Sequence, residues 1–308
     1  MINVFIDGRE GTTGLRIFDR LSENPKIHLL TLSENDRKDP QKRAEMLNDC
    51  DVAFLCLPDE AARQAVEMTV NEKVKIIDAS TAHRTLPGWA YGFPELDSSF
   101  RERILQSNRI AVPGCHASGF IALVYPLIQQ GFLSADTALC CTSLTGYSGA
   151  GKKTIAVYEG ANRDPLLDAP RLYALGQQHK HLKEMKAISG ISHAPAFFPV
   201  IGDFYSGMLV SVPLFSGNLQ KGSLADIRAI YRERYQGPVV RFCELDEGGF
   251  ASANALSGKD GMEIYVEGCE ERIVLMARYD NLGKGASGAA LQNMNIACGF
   301  EETEGMSL

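Results

Sequence analysis

Apolar and polar positions alternate in blocks along the first third of this 308-residue chain. Ile2–Ile6 is an apolar-rich run of strand length. Glycines follow, and TGLRIFDRLSEN then places Leu15, Ile17, Phe18 and Leu21 on a helical stripe. His28–Leu32 predicts a second strand, AEMLND a short helix, and Asp51–Leu57 a third strand that is almost continuously apolar and so buried on both faces. Pro58 ends that strand, the alanine-rich DEAARQAVEMTVNE predicts a helix, and Lys75–Ile77 opens a fourth strand running into IDAS. Strand, helix and strand at these intervals make βαβ units, which predict a parallel, doubly wound sheet of the α/β class. After RIAVPGC the texture changes. MLVSVPLF, EIYVEG and RIVLMARY are longer runs with the look of antiparallel strands, and the polar insertions between them predict a second, α+β domain with a mixed or antiparallel sheet. The closing GASGAALQNMNIACGF is a helix of small residues, able to lie close to a sheet, and is expected to return to the first domain. The expected division is 1–114 plus 285–308 for the first domain and 115–284 for the second.

Length agrees with about two domains. Hydrophobic residues are 45% and charged residues 22%, which excludes disordered and fibrous architectures. The formal charge is −7, from 31 basic and 38 acidic residues, and this argues against nucleic acid or an anionic membrane surface as a partner. No stretch approaches the ~20 apolar residues of a membrane span. The sequence opens on a strand, so no signal or transit peptide is expected and the location is expected to be cytoplasmic. Eight cysteines stand at 50, 56, 115, 140, 141, 243, 269 and 298 without a CxxC pair. Neither a disulfide framework nor a metal site is expected, and most of the thiols are expected in the core. Cys115 is the exception.

The first strand is followed directly by Gly8, Gly11 and Gly14 and then a helix. The spacing is GxxGxxG rather than GxGxxG, but the mechanism is available: glycines let the backbone approach a pyrophosphate, whose charge sits at the helix N-terminus. Thr12 and Thr13 add hydroxyls in the first turn. The sheet is therefore Rossmann-like and the expected ligand is a dinucleotide. At the end of the second strand, Ser33 could donate to a 2′-phosphate, with Arg37 and Lys38 supplying charge, whereas Glu34 pointing inward would favour the unphosphorylated ribose. NADP(H) is the expected cofactor.

Cys115 follows the strand RIAV and the turn Pro113-Gly114, where HASGFIALVYPLIQQG begins a helix. A thiol there feels the positive end of the helix dipole, and the amides of the first turn can receive an oxyanion on an attacked carbonyl. Cys56 and the Cys140-Cys141 pair lie within apolar strands instead. A nucleophile needs a proton partner, and HKHLKEM predicts an amphipathic helix beginning at His179. Residues two apart diverge by about 200° on a helix, so only one of His179 and His181 can face a given site. His181 shares the inward face with Met185 and Ile188, with Glu184 placed to orient its ring, and is the expected acid/base. His28 is expected at the surface, while His83 and His116 are expected to support the site. A third glycine loop, Thr145–Lys153, follows another apolar strand and offers amides, the Ser148 hydroxyl and two cations, Lys152 and Lys153, to an anion.

The combination IDGREGTTGLRI, FLCLPD, IDASTAHR, YGFPEL, VPGCHASGF, SGAGKK, HKHLKEM and DNLGKGASGAALQNMN resembles the N-acetyl-γ-glutamyl-phosphate reductases of arginine biosynthesis, in the shorter of their two types. These motifs run in order from position 6 to 295. The family is similar to aspartate-semialdehyde dehydrogenase and, more distantly, to glyceraldehyde-phosphate dehydrogenase. The resemblance implies NADPH-dependent reduction of an acyl phosphate through a thioester on Cys115, with His181 moving the proton and inorganic phosphate released. It implies Arg84, His179 and Lys152 as receivers of the anionic substrate. It maps the cofactor onto Gly8, Gly11, Thr12, Thr13, Gly14, Ser33, Arg37, Pro58, Ser148, Gly149, Gly151, Asn281 and Gly285. The second domain would carry catalysis and assembly into a homodimer or homotetramer. Departures from the long type are Val112 and His116, where that type has asparagine and tyrosine, and Lys183, where proline normally precedes the glutamate. An aspartate-semialdehyde or aminoadipyl-phosphate enzyme is the nearest alternative. A non-catalytic NADP sensor or a Cys-His hydrolase stands further away. Glu95 in YGFPEL has no role derivable from the sequence.

Overall fold

The strand and helix periods of the N-terminal third appear as alternating elements in the computed structural model, which describes residues 1–308. The elements are β1 (Ile2–Asp7), α1 (Thr12–Ser22), β2 (Ile27–Leu30), α2 (Pro40–Asp49), β3 (Val52–Leu55), α3 (Asp59–Met68), β4 (Lys75–Asp78), β5 (Ala90–Tyr91), α4 (Ser98–Gln106) and β6 (Arg109–Ala111). The second helix is longer than AEMLND because Asp39-Pro40 starts it: the Asp39 carboxylate caps the amides of Gln41 and Lys42, and Pro40 occupies the first turn, where an amide is not needed. The six strands form one parallel sheet in the order β2-β1-β3-β4-β6-β5, a doubly wound arrangement. Alternation along the strands builds a core on each face. Val4, Ile6, Val52 and Phe54 point one way, and Phe5, Ala53 and Leu55 the other.

The chain continues through α5 (Cys115–Gln129), β7 (Cys140–Gly146), α6 (Lys152–Tyr158), β8 (Arg171–Leu172), α7 (Leu182–Ser189), β9 (Ala196–Gly202), β10 (Met208–Phe215), α8 (Leu224–Arg234), β11 (Val240–Phe242), β12 (Met262–Cys269), β13 (Arg272–Tyr279) and α9 (Gly288–Cys298). Two units result. One comprises Met1–Pro94, Ser98–Pro113 and Ala286–Met306; the other comprises Glu95–Asp97, Gly114–Gly285 and Ser307–Leu308. Helix α9 lies in the first unit, where Ala289, Ala290, Leu291 and Met294 join the core on the Val4 face.

The second unit holds a seven-stranded sheet in the order β11-β12-β13-β10-β7-β9-β8. It is mixed: β10, β12 and β13 are antiparallel neighbours, while β7 and β9 run parallel. Helix α5 packs closely on β10, since a Cβ on Gly119 would lie 2.6 Å from Val210 Cγ2. Pro126 lies inside α5 and cannot donate to the carbonyl of Ala122. The Tyr235 hydroxyl from the end of α8 donates to that carbonyl at 2.6 Å, so the buried acceptor is satisfied.

None of the eight cysteines is in a disulfide. Only Cys50 and Cys141 are fully buried, and the expectation of mostly core thiols fails at Cys140 and Cys269, which are exposed. Cys140 occupies an outward position of β7, one residue from buried Cys141, and Cys269 ends β12 at a hairpin. No helix is long and apolar enough to cross a membrane.

Candidate active site

In the first unit, the turn after β1 depends on glycine. Gly8 has φ +83, and a Cβ there would lie 2.4 Å from the Cys56 carbonyl oxygen. A Cβ on Gly14 would lie 2.6 Å from the Gly8 carbonyl oxygen, which accepts the Gly11 N–H at 3.0 Å. The turn leads from β1, at the point where β2 and β3 flank it on opposite sides, into the N-terminus of α1. This is the switch point at which open α/β sheets bind nucleotides. Thr12 begins α1, and its buried hydroxyl has no hydrogen-bond partner. A cavity of about 410 Å³ lies alongside, lined by Gly8, Phe18, Leu30 and Leu57 and by the cations Arg37, Lys38 and Arg43. The cradle and the orphan donor fit a pyrophosphate.

The ribose end differs in detail from expectation. Strand β2 stops at Leu30, so Thr31 and Leu32 line the cavity at the position where an acidic residue would select NAD. Glu34 points to solvent, 85% exposed, and pairs with Arg37 at 3.0 Å. Arg37 also reaches Glu10 at 3.6 Å. Ser33 donates to Asp36 at 2.7 Å and is exposed. These exposed pairs are weak, so exchange for a phosphate costs little. Pro58 is the exposed N-cap of α3.

Arg84 is buried in the same unit. Its Nε donates to the carbonyl of Val112 at 2.8 Å and its Nη2 to that of Ala79 at 3.0 Å. Beside it, His83 Nδ1 lies 2.6 Å from Asp78 Oδ2 and its ring stacks on Trp89 at 4.1 Å.

In the second unit, Cys115 is the first residue of α5, after the N-cap Gly114. The first-turn amides of a helix have no intrahelical acceptor. Three contacts fix the backbone around the thiol. Glu184 Oε1 accepts the Gly114 N–H at 2.8 Å. The Tyr279 hydroxyl donates to the Cys115 carbonyl. Gly285 lies so close that a Cβ on it would sit 3.0 Å from Cys115 Cβ. The Gly285 position is thus against the thiol.

The histidine motif requires a correction. The helix expected from His179 begins at Leu182, with His181 as its N-cap. His179 precedes it, in a loop where Ala174 (φ 52) and Gln177 (φ 53) take left-handed backbone conformations. Helical divergence therefore does not separate the two histidines, whose rings lie 4.7 Å apart and nearly perpendicular. Both also face His116, at 5.4 and 5.5 Å. His179 Nδ1 accepts the His181 N–H at 3.2 Å. Burial and then Lys180 push His179 down to about 4, so at neutral pH it offers a hydrogen bond rather than a charge. His116 is pushed down to about 3 by burial first, then by His179 and Lys180.

Two side chains that sequence reasoning missed complete this cluster. His116 Nδ1 lies 2.7 Å from the Ser143 hydroxyl, and its Nε2 lies 2.7 Å from the Tyr173 hydroxyl. Of the third glycine loop, Ser148 and Gly149 gather around Asn281. Asn281 Nδ2 donates to Ser148 Oγ at 3.0 Å, its Oδ1 accepts the Gly207 N–H at 2.8 Å, and a Cβ on Gly149 would lie 3.0 Å from Nδ2. Gly151 has φ +84, and Lys152 stands on the exposed first turn of α6. Glu95 acquires a partner: both its oxygens accept from buried Lys284, at 2.8 and 2.9 Å.

A nucleotide-type glycine turn in one unit, and in the other a helix-initial cysteine followed directly by a member of a three-histidine cluster, define a class, and comparison with known proteins agrees. Residues 3–106 match the semialdehyde dehydrogenase NAD-binding domain and residues 115–281 the semialdehyde dehydrogenase dimerisation domain. Solved structures share the fold. Aspartate semialdehyde dehydrogenase II from Vibrio cholerae aligns with a TM-score of 0.72 at 16% identity, over 97% of this chain and 98% of that one. The Candida albicans aspartate semialdehyde dehydrogenase with NADP gives 0.67 at 15%, over 96% and 98%. Much closer in sequence are N-acetyl-gamma-glutamyl-phosphate reductase 2 of Nostoc sp., 43% identical over 98% of both chains, and its Pseudomonas putida namesake, 44% identical over 98% of both. The reductase of Brucella ovis is 43% identical over 96% of this chain and 98% of its own. The chain belongs to the semialdehyde dehydrogenase family, among the N-acetyl-gamma-glutamyl-phosphate reductases.

Proposed function

We propose that the protein reduces N-acetyl-γ-glutamyl phosphate to N-acetylglutamate semialdehyde, releasing inorganic phosphate, by way of a thioester on Cys115. The observation that carries this reading is Cys115 at the head of α5, with the family membership and the 43% identity to named reductases beside it. The sulfur anion attacks the acyl carbon, and the carbonyl electrons move onto oxygen, where first-turn amides of α5 receive them. The oxygen reforms its double bond as phosphate leaves with the bonding pair. A nicotinamide cofactor, when bound, supplies the hydride. His181 protonates the oxygen of the resulting thiohemiacetal and takes the proton back as the aldehyde departs and the sulfur regains its electrons.

NADPH rather than NADH is the cofactor in this reading. Arg37, with Lys38 on the cavity wall, receives the 2′-phosphate, Arg43 being held by Asp7 at 2.8 Å, and no carboxylate stands at the end of β2 to reject it. Gly8, Gly11, Thr12, Thr13 and Gly14 receive the pyrophosphate. Ser33, Pro58, Ser148, Gly149, Gly151, Asn281 and Gly285 complete the cofactor assignment. Arg84 reads the substrate carboxylate or phosphate, His179 gives it a neutral hydrogen bond, and Lys152 adds charge. The outer face of the mixed sheet, where Phe215 is 64% exposed, is assigned to a second copy in a homodimer or homotetramer, in keeping with the name of the matching dimerisation domain.

The test is phosphate-dependent NADPH formation with N-acetylglutamate semialdehyde set against aspartate semialdehyde. The reading expects strong preference for the acetylated substrate. Preference for aspartate semialdehyde overturns the substrate assignment, and absence of phosphate dependence overturns the acyl-phosphate chemistry.

A further inference from the structure

The buried charge that the scheme above leaves unused is Lys284. Its ammonium donates to both oxygens of Glu95, at 2.8 and 2.9 Å, and its side chain is 2% exposed. Taking two charges out of water is costly, and apolar residues of similar volume often serve stability as well. The surroundings of the pair give it another use. Lys284 lies in Gly283–Ser287, a π-helical turn after β13. The Gly285 N–H donates to the Asp280 carbonyl, five residues back, at 3.0 Å. Turns of this width are rare and are frequent at functional sites. Asp280 Oδ1 holds the approach to the turn by accepting the N–H groups of Leu282 and Gly283, at 2.7 and 3.2 Å. Beyond that point the side chain that anchors the turn is Lys284, and the next residue, Gly285, meets Cys115.

We infer that Lys284, anchored by Glu95, is the positioning residue that holds Gly285 against Cys115 and so fixes the rotamer from which the sulfur attacks. The inference rests on the nucleophilic role of Cys115 proposed above. The anchor is itself tied to the helix that carries the thiol. Glu95–Asp97 belongs to the same unit as Cys115, although the chain on either side of it belongs to the other. The Tyr125 hydroxyl, from α5, donates to the Asp97 carboxylate, and Arg234, from the end of α8, donates to the Leu96 carbonyl. A closed frame results: α5 holds the segment through Tyr125, the segment holds the turn through Glu95 and Lys284, and the turn returns to the head of α5 at Gly285. Charge-assisted bonds are shorter and stronger than neutral ones, which suits a group that must fix a position. The sulfur has three staggered positions about the Cα–Cβ bond of Cys115. Gly285 leaves so little room that a Cβ on it would lie 3.0 Å from Cys115 Cβ and 3.5 Å from its Cα, so this backbone walls one side of the residue. A turn released from Glu95 moves the wall and opens rotamers that point the sulfur elsewhere.

The experiment measures kcat, KM and the rate of Cys115 alkylation by iodoacetamide in the full chain, read by peptide mass spectrometry, for the wild type, Lys284→Met, Glu95→Gln and the double variant. Methionine is unbranched and flexible like the lysine stem but carries no charge. Exposed Cys140 serves as the reference thiol, and labelling of buried Cys141 reports unfolding. Lys284→Met should lower kcat about tenfold with little change in KM, because a small misplacement of the reacting group costs rate. It should also slow Cys115 alkylation relative to Cys140 by about threefold or more, as the sulfur leaves the helix N-terminus. Glu95→Gln should lower kcat in the same way, and the double variant should lose no more than the worse single one, because two groups acting as one anchor are not additive. If Lys284→Met leaves both kcat and Cys115 alkylation within about twofold of wild type, the inference is overturned even where the melting temperature falls, since that is the mark of a purely structural pair. Losses that add in the double variant overturn the pairing. If Lys284→Met labels at Cys141, Glu95→Gln decides by the same criteria. If wild-type Cys115 reacts no faster than Cys140, the underlying nucleophile assignment fails instead.

Discussion

The carboxylate of Glu184 accepts the amide N–H of Gly114 at 2.8 Å, and this bond ties α7, whose N-cap is His181, to the residue ahead of Cys115. The proposed acid/base and the proposed nucleophile are thereby held in one frame. Glu184→Ala leaves a buried donor without this acceptor, and about 1–3 kcal/mol of stability should be lost in chemical denaturation, together with turnover. Glu184→Gln keeps an acceptor oxygen and should lose less. An alanine variant as stable and as active as wild type would remove Glu184 from this role.

Gly285 tests how tightly the thiol is placed. An added methyl would meet Cys115 Cβ at 3.0 Å and the Asp280 carbonyl oxygen at 3.1 Å, and one of them must move. Gly285→Ala should reduce kcat by about tenfold or more, since misplacements below 1 Å already cost rate. Unchanged kcat and unchanged Cys115 alkylation would show that the neighbourhood yields without disturbing the sulfur.

Acid should unfold the protein partly through His116. In the unfolded chain this imidazole takes a proton near 6.5, whereas in the fold it does so only at about 3. The unfolded state therefore binds more protons between those values. Its contribution to stability is complete above about 6.5 and is lost as pH falls toward 3, at up to about 1.4 kcal/mol per unit. His116→Gln should show a shallower fall in denaturation midpoint from pH 7 to pH 5 than wild type. Equal slopes would contradict the uncharged, buried state of His116.

Arg37→Ala should weaken NADPH binding more than NADH binding, measured by fluorescence titration at fixed ionic strength. Loss of one exposed guanidinium from a phosphate should change affinity about tenfold. An equal loss for both cofactors would defeat the 2′-phosphate assignment.

What could be read from the chain was local. The strand–glycine–helix start at Gly8, the placement of Cys115 at a helix N-terminus and the return of the small-residue helix all follow from neighbouring residues, and the fold carries each of them. The helix starts later than His179 although HKHLKEM has helical character throughout, and the left-handed turns at Ala174 and Gln177 ahead of it are imposed by the Gln177 clamp on Phe197. Ser143 and Tyr173 lie 27 and 57 residues from His116, and Glu95 lies 189 residues from Lys284. No periodicity links such positions, so only the folded chain reveals the contacts.

The most direct measurement of the whole account is phosphate-dependent turnover by Cys115→Ser, with NADPH affinity measured on the same preparation. The account predicts that turnover disappears while NADPH still binds with wild-type affinity. Turnover within about tenfold of wild type would contradict it, since a serine hydroxyl without the thiolate's nucleophilicity cannot carry the acyl transfer at that rate.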